Sequence, residues 1–259
     1  MLDQHTVTAY LARIDARPGA APSAGGLREL AVRHVSTVPF ENLDVALGVP
    51  ITLGVDSLVD KIVHRRRGGF CYELNGLFAE LLRALGYRVA LLAAQVYDPD
   101  GVLGPPFDHL ALRVDLDRAW LVDVGFGQHA RHPLLLDDPG DQADPDGRYQ
   151  VRPVPDGTGD VDVVREGEPV YRLERHPRRL RDFAAMCWFQ QHSPDSAFTR
   201  KVTITLPRPD GRMTLSGRRL IRTTGGERIE TELSDDDRMA AYRNVFGITL
   251  DRLPPLPAD

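Results

Sequence analysis

Three side chains in this sequence of 259 residues combine types that could do chemistry together: Cys71, His109 and Asp123. Cys71 lies in Arg67-Gly68-Gly69-Phe70-Cys71-Tyr72-Glu73-Leu74-Asn75, where a helical pattern begins. The first turn of a helix carries backbone N–H groups with no partner inside the helix and the positive end of the macrodipole, so an anion is favoured there. A sulfur in that position suits a nucleophile, and the free N–H groups suit an oxyanion hole. Gly68 and Gly69 admit unusual backbone angles and the close approach of a substrate. The same segment also reads as a buried structural cysteine after a tight turn. His109, at the start of an alternating strand, and Asp123, inside the apolar stretch Trp120-Leu121-Val122-Asp123-Val124, supply a base and a group to orient it. A carboxylate in such a strand costs several kcal/mol to desolvate unless it is paired. Nucleophile, base and orienter in this order make a Cys–His–Asp set, with a helix supplying the sulfur and a two-stranded ribbon the other two, the logic of a papain-like or transglutaminase-like catalytic core.

Whether the set can assemble depends on the hairpin that carries two of its members. Leu110, Leu112, Val114 and Leu116 point to one face of the first strand, and His109, Ala111, Arg113 and Asp115 to the other. A two-residue turn at Asp117-Arg118 places Asp123 opposite Leu112, on the wrong face. A three-residue loop, Leu116 to Arg118, places it opposite Ala111, one diagonal step from His109.

The elements that must position these residues read as α+β. Four helical patterns come first, around Thr6–Ile14, Leu27–Val35, Asp56–Val63 with Asp56 as its cap, and Cys71–Leu85 closed by Gly86. Strand patterns follow at Tyr87–Tyr97, His109–Leu116 and Trp120–Val124, with Asp98-Pro99-Asp100-Gly101 as a turn. Residues 137–160, rich in Asp, Pro and Gly, read as a long loop or weak hairpin. Val170–Leu173 resumes strand character, and Asp182–Gln191 reads as a short helix. The last third reads as hairpins (Val202–Leu206 with Arg212–Leu215, Arg218–Arg222 with Glu227–Glu232) and a final helix capped by Ser234 and ended by Gly247.

Composition narrows the partners. A net charge of -5 argues against a general nucleic-acid surface, and no apolar run approaches the roughly 20 residues of a membrane span. The N-terminus lacks the basic and apolar regions of a signal peptide, so a cytoplasmic location is expected. Two cysteines, Cys71 and Cys187, are expected to be reduced thiols. Without CxxC or HExxH patterns no metal is expected.

The nucleophile segment "RGGFCYELNGLFAELLRALGYRV" resembles that of the arylamine N-acetyltransferases. "VPFENLDV" (38–45), "FDHLALRV" (107–114) and "WLVDVGFG" (120–127) resemble that family's other blocks in the same order, and "CWFQQHSPDSAFTRK" (187–201) and "LSGRRL" (215–220) extend the likeness through the last third. The resemblance implies an N-terminal helical bundle carrying the nucleophile (1–88), a central antiparallel β-barrel carrying His109 and Asp123 (89–190), and a C-terminal α/β lid (191–259). It implies a ping-pong reaction in which Cys71 takes an acetyl group from acetyl-CoA, the acyl donor, and passes it to an aromatic amine or arylhydrazine. His109 would pair with the thiolate and accept the amine's proton, and Asp123 would fix the imidazole. Phe126 matches a pocket-lining aromatic of the family; Phe40 and Phe198 are further candidates for the acceptor cleft.

Other residues near these blocks read as structural. Glu41 and Asn42 would hold the helix junction, and Cys187 would be a buried helix residue. Arg65, Arg66 and Arg67 would be solvated or paired with carboxylates rather than bound to coenzyme A phosphates. His129 and His132 would lie at the surface. The same three catalytic residues would also serve an amide synthase that takes a polyketide from an acyl carrier protein and closes a macrolactam, or a cysteine hydrolase. Segment 97–108 and residues 137–160, which would shape the coenzyme A cleft, should separate the acetyltransferase from the amide synthase.

Overall fold

A computed structural model of the chain describes residues 2–17 and 21–257. The N-terminal part is helical: α1 (Gln4–Arg13), α2 (Ala24–Thr37), the short α3 (Leu43–Leu47) and α4 (Val55–Val59), and α5 (Cys71–Ala84). α4 starts from Gly54 rather than from Asp56, and it runs into a wider π-helical turn over Asp60–His64. α5 is the buried axis of this part. Leu74, Leu77, Phe78, Leu81 and Leu82 are sealed from solvent, each worth about 1.5–3 kcal/mol of apolar burial. At its start the Glu73 carboxylate accepts from the Phe70 N–H at 3.2 Å, half of a capping box whose other half a phenylalanine cannot supply. At its end Gly86 takes the left-handed conformation (φ +89°) that closes a helix without a Cβ clash.

Eight antiparallel strands follow: β2 (Arg88–Val96), β3 (His109–Asp115), β4 (Ala119–Val122), β5 (Leu134–Leu135), β6 (Gln142–Asp144), β7 (Gly147–Pro153), β8 (Val161–Arg165) and β9 (Glu168–Arg178). They pair in the order β5-β4-β3-β2-β9-β8-β7-β6 and curl into a nearly closed barrel. The side-chain amide of Gln142 spans the open seam, accepting from the Leu135 N–H at 2.6 Å and donating to the Leu135 carbonyl at 3.0 Å. Residues 137–160, expected as a loop or weak hairpin, form a hairpin of β6 and β7, with Asp144 opposite Gly147, that completes this sheet. Most of their Asp, Pro and Gly residues lie outside the strands, while Tyr149 and Val151 point into the barrel core.

A second sheet has the order β1-β10-β11-β12-β13, from β1 (Phe40–Glu41), β10 (Thr203–Arg208), β11 (Gly211–Ser216), β12 (Arg219–Thr224) and β13 (Glu227–Glu232). It is flanked by α8 (Asp235–Asn244), whose N-cap is Ser234, with Gly247 left-handed just beyond. Between the sheets the chain forms a 3₁₀ turn (Leu180–Phe183), α6 (Ala184–His192) and α7 (Ala197–Arg200). β1 comes from the "PFEN" block, so this segment ties the second sheet to the helical part: Phe40 pairs with Thr205 on one side and bridges Gly69 on the other.

Three cores result. One joins α1, α2, α4 and α5 to the outward faces of β2 and β3, one fills the barrel, and one lies between the second sheet and α8. β3 is buried on both faces. Leu110, Leu112 and Val114 enter the helical core and Ala111 enters the barrel, which is the alternation its sequence sets out. Among the described residues no helix is long and apolar enough to cross a membrane.

Candidate active site

β3 and β4 pair with Asp115 opposite Ala119 and Leu112 opposite Val122. The connection is therefore the three-residue loop Leu116 to Arg118, closed by a hydrogen bond from the Leu116 N–H to the Arg118 carbonyl (3.0 Å). Continued one step, this register sets Asp123 beside Ala111, on the face that carries His109. The contact follows: His109 Nε2 lies 2.7 Å from Asp123 Oδ2.

Cys71 is the first residue of α5. The helix meets the hairpin through Asn75, one turn on. Its Nδ2 donates to the Leu110 carbonyl (2.7 Å) and to Asp123 Oδ1 (2.9 Å), and its Oδ1 accepts from the Val124 N–H (2.9 Å). One amide thus joins the helix to β3 and to the residues just past β4. Gly125 completes the junction. Its N–H donates to Asp123 Oδ1 at 3.0 Å, and a Cβ there would come within 2.8 Å of the Cys71 Cα. Only glycine lets the ribbon pass so close to the helix start.

The three residues are almost closed to solvent, with 3 % exposure at Cys71, 3 % at His109 and 7 % at Asp123. Burial opposes charge on His109, but the Asp123 carboxylate outweighs it and the Cys71 sulfur adds to the effect, so the imidazole is pushed up to about 10. Burial likewise opposes charge on Asp123, and His109 with the Asn75 amide overcomes this, holding the carboxyl well below the usual range. The pair is an imidazolium and a carboxylate at neutral pH. Asp123 engages Nε2, which leaves Nδ1 for Cys71. The Cys71 thiol itself points toward the Asp108 carbonyl, 3.9 Å away.

Gly68 and Gly69 have a different purpose from the expected substrate approach. A Cβ on Gly68 would lie 1.9 Å from the Pro39 carbonyl oxygen, and one on Gly69 would lie 2.6 Å from Glu73 Oε2. Neither has a positive φ among the described backbone angles. They admit the protein's own chain and carboxylate. Arg67 beside them is buried and paired, its Nη2 lying 2.8 Å from both Glu41 Oε1 and Asp44 Oδ1, while Arg65 pairs with Asp60 at the surface. Glu41 and Asn42 hold the junction as read: Glu41 accepts from Arg67 and from the Leu43 N–H, and Asn42 donates to the Phe198 and Lys201 carbonyls.

The aromatic candidates divide. Phe126 packs edge-on against the His109 ring with centroids 5.1 Å apart. Phe40 lines the same narrow cleft as Asp123, Phe126 and Thr205. Phe198 stands one ring further out, 6.1 Å from Phe40 and 5.3 Å from Phe70. Cys187 is buried in α6, as its apolar setting suggested. His132 is half-buried, but His129, expected at the surface, is buried in the barrel because the chain after Gly127 turns inward. Sequence reasoning missed Asn75 and Tyr171 as neighbours of the site. The signal for Asn75 was a lone amide one turn after Cys71 in an otherwise apolar helix; Tyr171 gave none beyond an aromatic in a strand. Among the described residues no group of three or more His, Cys, Asp or Glu is placed to hold a metal ion.

A thiol at a helix start, facing an imidazole held by a buried carboxylate, is an arrangement for acyl transfer. The family described as N-acetyltransferase matches residues 25–253, which makes the chain an N-acyltransferase. The arylamine N-acetyltransferase of Mycobacterium tuberculosis is 38% identical over 234 residues, 86% of this chain and 82% of that protein. The Salmonella typhimurium enzyme superposes with a TM-score of 0.87 at 29% identity, over 100% of this chain and 96% of its own. The Mycobacterium marinum enzyme, solved in complex with CoA, superposes at 0.85 with 32% identity, over 93% and 92%. The chain belongs to the arylamine N-acetyltransferase family.

Proposed function

We propose that this enzyme transfers the acetyl group of acetyl-CoA to the nitrogen of an arylamine or arylhydrazine through an acetyl-Cys71 intermediate. In the first half-reaction the Cys71 sulfur, paired as thiolate with the His109 imidazolium, attacks the thioester carbonyl. The carbon–sulfur bond to coenzyme A breaks, and the departing thiolate takes the proton from His109. In the second, the amine nitrogen attacks the acetyl carbon, Cys71 leaves as thiolate, and His109 accepts the nitrogen's proton. The starting ion pair is restored. Asp123 keeps the imidazole oriented throughout. An aromatic amine suits the acceptor role because it is a weak base and remains an uncharged nucleophile at neutral pH. Phe126, Phe40 and Phe198 form the aromatic side of the acceptor cleft.

The observation that carries this reading is the 2.7 Å contact between His109 Nε2 and Asp123 Oδ2, at a hairpin fastened to the first turn of the Cys71 helix. The relatives named above as arylamine N-acetyltransferases, one of them solved with CoA, support the donor and the acceptor class. None of them is an amide synthase, and nothing favours a carrier protein as donor. Burial of Cys71 favours an amine held in the cleft over bulk water as second nucleophile.

The test is intact mass spectrometry after mixing with acetyl-CoA and no amine. One acetyl group should appear on the protein and map to the Cys71 peptide, and an added arylamine should discharge it as the N-acetyl product. Cys71→Ala should take up no acetyl group and keep its circular dichroism. Turnover by that variant would remove Cys71 from the mechanism.

A further inference from the structure

The chain that leads into β3 passes over the nucleophile, and it brings a carbonyl there that the reaction above does not use. Residues 97–108 connect β2 to β3. Asp108 stands just outside the strand ladder, and its carbonyl faces Cys71: the donor that reaches it is the Cys71 thiol, 3.9 Å away. The proposed reaction removes that donor. As thiolate, and again as acetyl-cysteine, Cys71 has no proton to give. The Asp108 carbonyl is then an acceptor beside the reacting sulfur with nothing to accept from it.

Several contacts hold this carbonyl in place. The hydroxyl of Tyr72, the residue after Cys71 on α5, donates to the Phe107 carbonyl at 2.8 Å. Asp108 Oδ1 accepts from the Val96 N–H at 3.0 Å, and Gly104 makes room for Oδ2, because a Cβ there would lie 2.2 Å from it. The Phe107 ring packs against Phe183 with centroids 5.3 Å apart and lies 4.9 Å from the Arg178 guanidinium. Phe107 itself sits at φ +67°, a left-handed conformation that a bulky residue keeps only where its surroundings enforce it.

We infer that the Asp108 carbonyl binds the incoming amine, taking a hydrogen bond from the nitrogen that attacks the acetyl carbon, and that Tyr72 is its positioning residue. A primary amine brings two N–H bonds. One proton goes to His109 as the carbon–nitrogen bond forms and the carbon–sulfur bond breaks. The other stays on the nitrogen, is kept in the amide product, and is donated to Asp108 throughout. Positive charge builds on the nitrogen during attack, so this hydrogen bond is stronger in the transition state than in the bound amine. A secondary amine must give its single proton to His109 and has none for Asp108. The site thereby selects primary arylamines and the terminal NH₂ of arylhydrazines.

The inference rests on the proposed acetyl-Cys71 intermediate, and its test separates the two. The enzyme is acetylated with acetyl-CoA and freed of coenzyme A, and its discharge by aniline and by N-methylaniline is followed by intact mass. Aniline should be favoured. Tyr72→Phe, which releases the Phe107 carbonyl, should shrink that preference about tenfold by slowing discharge to aniline. The bulk of the methyl group is common to both enzymes and cancels from the comparison. Acetylation by acetyl-CoA should stay within about threefold of wild type in the same variant, since the first half-reaction does not use this carbonyl. Asp108→Ala should shrink the preference likewise, and Asp108→Asn, which keeps an oxygen for the Val96 N–H, should restore it to within about threefold. Wild-type enzyme that takes up no acetyl group would overturn the intermediate and this inference together. An acetyl-enzyme whose preference is the same in Tyr72→Phe and Asp108→Ala as in wild type, or acetylation that falls as far as discharge, would overturn the Asp108 assignment alone.

Discussion

Glu73 and Asn75 are two residues apart on α5, and they look into two different buried polar regions. Glu73 faces a cluster in which Lys61 Nζ lies 2.6 Å from Glu73 Oε1 and 2.8 Å from Asp44 Oδ2, while Arg67 holds Glu41 and Asp44. Asn75 faces His109 and Asp123. Both regions bury charge at similar depth. In the first the cations keep their protons throughout: burial opposes the charge on Lys61, but Glu73, Glu41 and Asp44 more than restore it. In the second the cation is an imidazolium, which can give its proton to a neighbour and take it back. The helix start is anchored on one side by charges that do not change and presents its sulfur on the other to a pair that can. Buried ion pairs become reactive when one partner's proton can move, and become scaffolding when it cannot.

Breaking the reactive side should give the largest effect on turnover. Asp123→Asn keeps the shape but removes the charge and favours the wrong tautomer, so kcat should fall on the order of 10³-fold or more in steady-state assays. A loss under tenfold would mean that the carboxylate does not orient His109. Gly125→Ala should come next. Its methyl group would press on the Cys71 Cα and move the hairpin away from the helix, and a misplacement near 1 Å costs on the order of 10²-fold in kcat. Unchanged kinetics would show that the junction tolerates displacement.

Breaking the scaffold side should read out in stability instead. Lys61→Met leaves Glu73 without its buried cation and Asp44 with Arg67 alone, and should cost about 3–5 kcal/mol in urea unfolding. The molecules still folded should retain kcat within a few-fold, since the reacting side keeps its own anchors. A larger fall in kcat than in stability would erase the distinction between the two regions.

The smallest effect is in pH. His109 rises from 6.5 to about 10 on folding, so its contribution to stability is complete below 6.5 and is lost as pH rises through about 10. Asp123 is lowered from 3.8, so its contribution is present above 3.8 and is lost as pH falls. The gap in melting temperature between wild type and Asp123→Asn should therefore be widest between roughly pH 4 and 6.5 and should narrow toward pH 10. A gap that widens toward pH 10 would contradict the ion pair.

Much of this arrangement was legible in residue order. Cys71 opens its helix where the apolar periodicity begins, and the alternation of β3 sets His109 against Leu110, Leu112 and Val114. The two hairpins of the last third also follow their turn residues. The sequence narrowed the β3–β4 register to two loop lengths without choosing between them, because the choice depends on packing against α5. Residues 137–160 left loop and hairpin open because turn-forming residues outnumber the few inward side chains, Tyr149 and Val151, that make strands of the segment. His129 and the glycine pair misled for a shared reason. What surrounds a side chain, or an absent one, is set by elements distant in sequence: Tyr171 from β9 for the histidine, Pro39 and Glu73 for the glycines.

The loop from Leu116 to Arg118 contains no reacting atom, yet it decides which way a carboxylate faces. Swapping Asp117-Arg118 for Asn-Gly, the dipeptide that most favours a two-residue turn, would reward the competing pairing in which Asp123 sits opposite Leu112. The carboxylate would then be driven toward the helical core, and the chain would have to choose between a comfortable turn and a neutralised charge. A substitution that normally stabilises hairpins should here slow refolding or split the population between registers. Stopped-flow refolding would show this as a new phase, and a single unchanged phase would mean that packing against α5 alone dictates the register. In this chain the fidelity of folding and the competence of the chemistry meet at a surface turn.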